Sequence, residues 1–240
     1  PTQQASRMLN GAGIQSDIII ARSNTALDAP RKEKLAVHCG VPKDHCISAP
    51  DVSSIYTIPR VMDEQHIGNK LLKTLGLKAR KTNLSRWNAL EKKTQSAKKE
   101  VRIGVVGKYF GSGGFTLSDS YISVIEAIRH AAWHYGVIPK LEWVDSEEFE
   151  KNPTTIKTLK TYNGIIVPGG FGTRGIEGII KTISYARKKH IPYLGICYGM
   201  QLATVEFARN VLKKKDAHTV EVDDSATHPI IHINPHQAKH

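Results

Sequence analysis

Gly195-Ile196-Cys197-Tyr198-Gly199 places one of only three cysteines between two glycines, where an apolar run hands over to an amphipathic one. A corner of the form G-x-C-x-G is the thiol counterpart of the serine elbow, in which a strand turns sharply into a helix and throws the central side chain clear of the sheet. Glycines two places to either side remove Cβ atoms that would collide across the turn. A helix opening near Tyr198 offers partial positive charge, which favours thiolate over thiol. Thiolates attack carbonyl carbon well, so acyl transfer through a thioester is the chemistry this corner admits. The plain alternative is a packed cysteine at a glycine-punctuated strand end.

A second corner, "IIVPGGFGTRG", strengthens the chemical reading. A short apolar run at 165–167 ends in Pro168, Gly169 and Gly170. Such a turn can aim backbone N–H groups outward, and an acyl intermediate needs donors for its developing oxyanion. Gly170 is the candidate donor. The N–H of Tyr198 is its partner, by analogy with the residue after other elbow nucleophiles.

Both corners belong to a regular alternation. "VRIGVVGKY", "KLEWVD", "GIIVPGG" and "IPYLGIC" read as strands, and "DSYISVIEAIRHAAWHYG", "TTIKTLKTY", "GIEGIIKTISYARKKH" and "MQLATVEFARNVL" as helices. In the first of these helices Tyr121, Val124, Ile125, Ile128, Ala131 and Ala132 recur at spacings of three and four, with Asp119 as N-cap. The pattern predicts an α/β fold, a parallel sheet with helices on both faces, whose ligands sit beyond the carboxyl ends of the strands. Both glycine corners fall at that edge.

The first part is also α/β in flavour, but too short for a whole sheet domain. "GIQSDIIIAR" reads as a buried strand on the consecutive Ile18, Ile19 and Ile20, "APRKEKLAVHCGV" as a helix and "HCISAP" as a strand. "IYTIPRVMDEQHIGNKLLKTLGL" reads as one helix entered after Pro59. Between the two parts, residues 78–100 hold eight Lys or Arg against two Glu, which reads as a solvated basic linker. The expected domains are therefore 1–77, a linker at 78–100, and 101–240.

The net charge of +12 suits anionic ligands without choosing among them. No regular aromatic interleaving accompanies the basic run, which argues against a nucleic-acid stacking platform. No apolar run approaches the roughly 18 to 20 residues that span a bilayer, and the N-terminus lacks the build of a signal peptide. Cys39 and Cys46 lie in "HCGVPKDHC" with His38 and His45. No second CxxC completes a zinc site, so buried thiols in a reduced cytoplasmic compartment are expected, and no metal.

The motifs "VRIGVVGKY", "SYISVIEAIRHA", "VPGGFGTRGIEG" and "IPYLGICYGMQLATVEFARNV" resemble the glutaminase domain of the CTP synthase family, a class I glutamine amidotransferase with a flavodoxin-like three-layer fold. "PTQ", "GIQSDIIIARS" and "DVSSIYTIPRVM" resemble the end of that family's synthetase (amidoligase) domain and the linker that follows. The resemblance implies a ligase that makes CTP from UTP, using ATP and ammonia released from L-glutamine, with Mg2+ as cofactor and GTP as activator. It implies Cys197 as nucleophile and Gly170 as oxyanion donor. Gly170, Tyr198, Gly199, Met200 and Gln201 would line the glutamine pocket, and Glu221 would take the substrate's α-amino group. Arg174, Gly175 and Glu177 fall in the lid associated with GTP. Pro1, Thr2, Gln3 and Lys34 match a UTP/CTP site. Pro50, Asp51 and Val52 match a segment beside the ATP adenine, where the family often has Lys at the first position. The family forms homotetramers.

The resemblance also has gaps. The family's triad is completed by His and Glu in an H-P-E motif more than a hundred residues beyond the cysteine, whereas this chain stops 43 residues after Cys197. His228-Pro229 is followed by Ile230, so "THPIIHINPHQAKH" reads as the start of a strand region with loop histidines. No G-x-x-x-x-G-K-[ST] phosphate loop occurs, and magnesium ligands cannot be assigned. The expectation is an internal fragment, inactive alone. The competing readings are another cysteine hydrolase on the same sheet and a non-catalytic, basic nucleotide-binding module.

Overall fold

A computed structural model describes residues 1–108, 121–232 and 234, in two compact units, 1–96 and 97–240. In the first unit β1 (Ile19–Ser23) and β2 (Cys46–Pro50) pair in parallel, with α2 (Ala29–Cys39) as the crossover between them. The Asp28 side chain caps α2 by accepting from the N–H of Arg31 at 2.9 Å. Ile19, Cys39, Val41 and Cys46 form the core here. The run of isoleucines is not uniformly buried: Ile20 is 53% exposed, because a two-stranded sheet covered on one face alternates its side chains.

The single helix expected after Pro59 is in fact two, α3 (Ile58–Glu64) and α4 (Ile67–Thr74), with a 3-10 turn at Ile55–Thr57 before them. They part at His66, whose φ of 55° no helix can accommodate. The segment read as solvated linker also folds in part, as α5 (Ser85–Ser96). Trp87 stacks on Tyr56 with centroids 6.0 Å apart and donates to its carbonyl, while the buried Glu91 receives Arg60 at 3.1 Å. A helix at the start of the chain, α1 (Thr2–Gly11), and a 3-10 turn at Lys43–His45 complete this unit's described elements.

The second unit is a parallel sheet of β3 (Lys99–Gly107), β4 (Val137–Asp145), β5 (Gly164–Val167) and β6 (Tyr193–Gly195), in the order β4-β3-β5-β6. The order reverses beside β3, so the switch point lies where β3 and β5 end side by side. One face carries α8 (Ile176–Lys189) and α9 (Tyr198–Asn210), whose Ile179, Ile183, Leu202 and Val205 pack on Ile165 and Val167. Buried Glu206 of α9 pairs with Arg187 of α8 at 2.8 Å, which locks the two helices together. Burial raises the Glu206 pKa, but the bonds from Arg187, Asn210 and Ser184 outweigh it and hold the carboxyl below its ordinary range.

The opposite face carries α6 (Ile122–His134), with a cavity of about 500 Å³ between Val124 and Ile128 of the helix and Ile103, Ile166 and Leu194 of the sheet. Helices on both faces of a parallel sheet match the expected class. Asp119, the expected cap of α6, lies outside the described residues. One helix was not foreseen, α7 (Ser146–Lys151), capped by the Asp145 side chain; the "TTIKTLKTY" helix is a 3-10 segment over Pro153–Thr161. A small parallel pair follows α9, β7 (His218–Thr219) and β8 (Pro229–Ile231), so the strand expected in this stretch is present at Pro229–Ile231. Among the described residues no helix is long and apolar enough to cross a membrane.

Candidate active site

β5 and β6 run side by side to the same edge, and each ends in one of the glycine corners. Ile196 continues β6 by donating to the Val167 carbonyl at 2.9 Å, and the chain then turns at once. Cys197 has φ 52° and ψ −105° and caps α9, its carbonyl receiving the N–H groups of Met200 and Gln201 at 3.1 Å each. A non-glycine residue held there stores strain of about 1–3 kcal/mol. The flanking glycines make the turn possible: a Cβ on Gly195 would lie 2.5 Å from the Gly199 backbone, and one on Gly199 would lie 2.3 Å from the Val167 carbonyl. Cys197 is exposed, while Cys39 and Cys46 are buried. Its thiol therefore stands clear of the sheet at a helix N-terminus, as nucleophilic attack requires.

The loop 168–175 after β5 faces this thiol. A Cβ on Gly169 would stand 3.5 Å from the Cys197 Cβ and 4.0 Å from Sγ, so it is Gly169 that abuts the cysteine. Gly170, the oxyanion donor expected from sequence, comes next in the loop, and a Cβ there would lie 3.9 Å from Lys108 Cε and 4.0 Å from the Tyr198 ring. The Gly172 carbonyl accepts from Lys108 Nζ at 2.7 Å and from the Tyr198 hydroxyl at 2.8 Å. The Gly172 N–H donates to Glu221 Oε1 at 3.2 Å. Arg174 donates to the Lys108 carbonyl at 2.7 Å and pairs with Glu147 at 2.5 Å. Gly175, at φ 72°, starts α8 so close to α7 that a Cβ would meet Ser146 Oγ at 2.6 Å. Glu177 pairs with Arg209 at 2.8 Å.

A cavity of about 280 Å³ opens one helical turn beyond the cysteine, lined by Gln201, Thr219, Val220, Glu221, Ile231 and His232. Cys197 and Gln201 are four apart and share a face of α9. Gln201 Oε1 is buried and meets no donor among the described residues. An orphaned acceptor of this kind calls for a ligand donor or a water. Glu221 supplies a carboxylate to the same cavity, and its N–H is held by Thr219 Oγ1 at 3.2 Å. The neighbouring His218 has its pKa pushed down, by burial first and by Arg209 second. Met200 is exposed and Gly199 is buried against β5, so of the expected pocket residues Gln201 and Glu221 alone line this cavity.

Among known proteins, the glutamine amidotransferase class-I family model matches residues 116–238, slightly over half of the chain. The chain belongs to that family. Its first 77 residues match a second model, the CTP synthase N-terminus. The CTP synthase of Sulfurisphaera tokodaii is 45% identical over 239 residues, and that of Campylobacter jejuni subsp. doylei 46% identical over 233. These matches take in 100% and 97% of this chain but 44% and 42% of the relatives, so the chain spans less than half of their length. The glutaminase domain of Trypanosoma brucei CTPS, solved with bound acivicin, superposes with a TM-score of 0.51 at 39% identity, over 55% of this chain and 50% of that one.

In this class-I amidotransferase chain the first unit has a cavity of its own. About 230 Å³ in volume, it is lined by Thr2, Gln3, Arg22, Arg31 and Lys34 among others. The sequence singled out Thr2, Gln3 and Lys34 but neither arginine, although Arg22 stands in "GIQSDIIIARS". Pro1 caps α1 outside that lining. Pro50 ends β2, and Asp51 pairs with Arg22 at 2.7 Å. His228 is held by Asp216 at 2.7 Å, beside β8. Among the described residues no group of three or more His, Cys, Asp or Glu is placed to hold a metal ion.

Proposed function

We propose that this chain carries the nucleophile side of a glutamine-hydrolysing site, together with the closing part of an amidoligase domain, from an enzyme that makes CTP. Cys197 attacks the side-chain amide carbon of L-glutamine. The C–S bond forms as the carbonyl π pair moves onto oxygen, and the N–H groups of Gly170 and Tyr198 receive that charge. Collapse expels ammonia, which leaves with a proton, and water then releases glutamate from the thioester. Glu221 takes the substrate's ammonium, and the orphaned Gln201 Oε1 accepts a substrate N–H. The observation that carries this reading is the exposed thiol held at φ 52° before α9 and pressed against Gly169.

The rest of the reading extends to the parent activity. Ammonia displaces a phosphate that ATP has placed on the uracil O4 of UTP, and CTP results. Internal transfer keeps the ammonia unprotonated and therefore nucleophilic. Arg22, Arg31 and Lys34 give the first unit's cavity the charge a triphosphate needs, which supports UTP or CTP there. Asp51 and its neighbours would lie beside the ATP adenine, and Arg174, Gly175 and Glu177 would answer to GTP. The homotetramer and the cytoplasmic setting belong to the same proposal, with no nucleic-acid or membrane partner.

The test is alkylation of this chain by the chloroketone analogue of glutamine, read by mass spectrometry. Modification confined to Cys197 and suppressed by L-glutamine is the expected result. Labelling indifferent to glutamine would favour another cysteine hydrolase, and no labelling would favour a non-catalytic nucleotide-binding module.

A further inference from the structure

Lys108 follows the last residue of β3, at the switch point of the sheet, and is only 5% exposed. A lysine is seldom buried so far without a task for its ammonium. Its Nζ donates to the Gly172 carbonyl at 2.7 Å and stands 5.0 Å from the centre of the Tyr198 ring. Its stem runs beside the loop, since a Cβ on Gly170 would lie 3.9 Å from Lys108 Cε. The main chain joins in as well, because the Lys108 carbonyl accepts from Arg174 at 2.7 Å. One residue thus grips the loop twice, by side chain at Gly172 and by backbone at Arg174. Burial, helped by Arg174, draws its pKa below the ordinary lysine value, while Glu221 opposes that shift.

We infer that Lys108 is a positioning residue for the glutamine-splitting step, holding Gly172 so that the 168–172 backbone presents its amides to Cys197 and its N–H to Glu221. The inference rests on the glutaminase reading proposed above. Without the ammonium the Gly172 carbonyl keeps only the Tyr198 hydroxyl of these two donors, and the loop keeps the Arg174 bond to the Lys108 carbonyl but loses its tie at Gly172. Tyr198 adjoins the nucleophile in sequence, so the carbonyl it shares with Lys108 couples loop and elbow directly. Lys108 does not touch the reacting atoms, and its effect passes through the loop.

The test compares two alkylating agents on this chain. The chloroketone analogue of glutamine needs the aligned loop, because its ketone oxygen takes the place of the amide oxygen. Sulfur bonds to its methylene carbon, the C–Cl bond breaks, chloride departs with the electron pair, and the thiol proton passes to solvent. Iodoacetamide needs only an exposed thiol. Lys108→Met is expected to slow the saturated chloroketone rate about tenfold or more while leaving the iodoacetamide rate within about twofold. Lys108→Arg, which keeps charge and reach, recovers most of the directed rate. A parallel fall in both rates, or no fall in either, overturns the inference. Should Lys108→Met fail to fold, Lys108→Gln, which stays polar but lacks the charge and the full reach to Gly172, must slow the directed reaction selectively; an unchanged rate overturns the inference. If wild-type labelling ignores glutamine, the functional reading falls and takes this inference with it. If glutamine protects the wild type and Lys108→Met is labelled at the wild-type rate, the inference alone falls.

Discussion

The turn after β6 and the loop after β5 leave the same sheet edge, yet they are fixed by different means. At the elbow, Gly195 and Gly199 permit backbone contacts that any Cβ would forbid, Gly195 with Gly199 itself and Gly199 with Val167 of β5, so the turn is defined by steric exclusion. In the loop, Gly172 is fixed by Lys108, Tyr198 and Glu221, which come from the ends of three other elements. Exclusion of this kind is short-ranged and unforgiving, whereas polar ties are long-ranged in sequence and can be removed one at a time. The nucleophile therefore sits on the rigid side and the groups that read the substrate on the adjustable side. Catalysis by preorganised donors asks for both.

The contrast is broken most severely at Gly199. Gly199→Ala sets a methyl 2.3 Å from the Val167 carbonyl, where backbone has to move. Overpacking of this kind is expected to cost about 3 kcal/mol, read as a fall in the denaturant midpoint, and glutamine-protected labelling of Cys197 disappears with it. Gly170→Ala is the matched change on the loop. Its new methyl meets Lys108 and Tyr198 at 3.9 and 4.0 Å, ordinary contact distances. Stability is expected to stay within about 0.5 kcal/mol of wild type. Equal losses at the two glycines would erase the distinction between the turns.

The next largest effect belongs to the loop side and leaves the fold untouched. Glu221→Gln keeps an acceptor for Gly172 but removes the charge that meets an ammonium. A hydrogen bond to a charged group contributes about 1.5–3 kcal/mol, so the glutamine concentration that half-protects Cys197 should rise on the order of ten- to hundredfold. The iodoacetamide rate at Cys197 should not change. If both shift together, Glu221 supports the elbow and is no reader of substrate.

The same division explains what the sequence made legible. The elbow could be read from Gly195, Cys197 and Gly199, because the residues that permit it stand together in the motif, even though Gly199 makes room for Val167 of β5. The parallel sheet could be read because apolar strands and amphipathic helices alternate visibly. Lys108 could not be read, since nothing around it announces that its ammonium reaches Gly172, 64 residues away. Arg22 and Arg31 were hidden for the same reason: the cavity that gathers them is made by folding. The division at His66 was missed because a positive φ at histidine leaves no mark in hydrophobic periodicity.

The smallest effect separates the two sides by pH. His218 lies on β7, two residues before Val220 and three before Glu221, and its Nδ1 accepts from the Thr219 N–H at 2.9 Å. That bond requires the neutral ring. Burial and Arg209 hold the folded pKa below the ordinary 6.5, while Glu177 and Asp223 pull weakly the other way. In the window between the lowered folded value and 6.5 the unfolded chain binds the proton and the folded chain resists it. Stability is therefore complete above the unfolded pKa and is lost as pH falls through the folded one. Protonation also releases Thr219, whose hydroxyl holds the Glu221 N–H. Acidification from 6.5 down through the lowered folded pKa should thus weaken glutamine protection before it alters how Cys197 meets iodoacetamide. His218→Gln, which cannot gain the proton, should flatten that dependence. A wild-type profile already flat across this window would mean that β7 transmits nothing to the substrate-reading side.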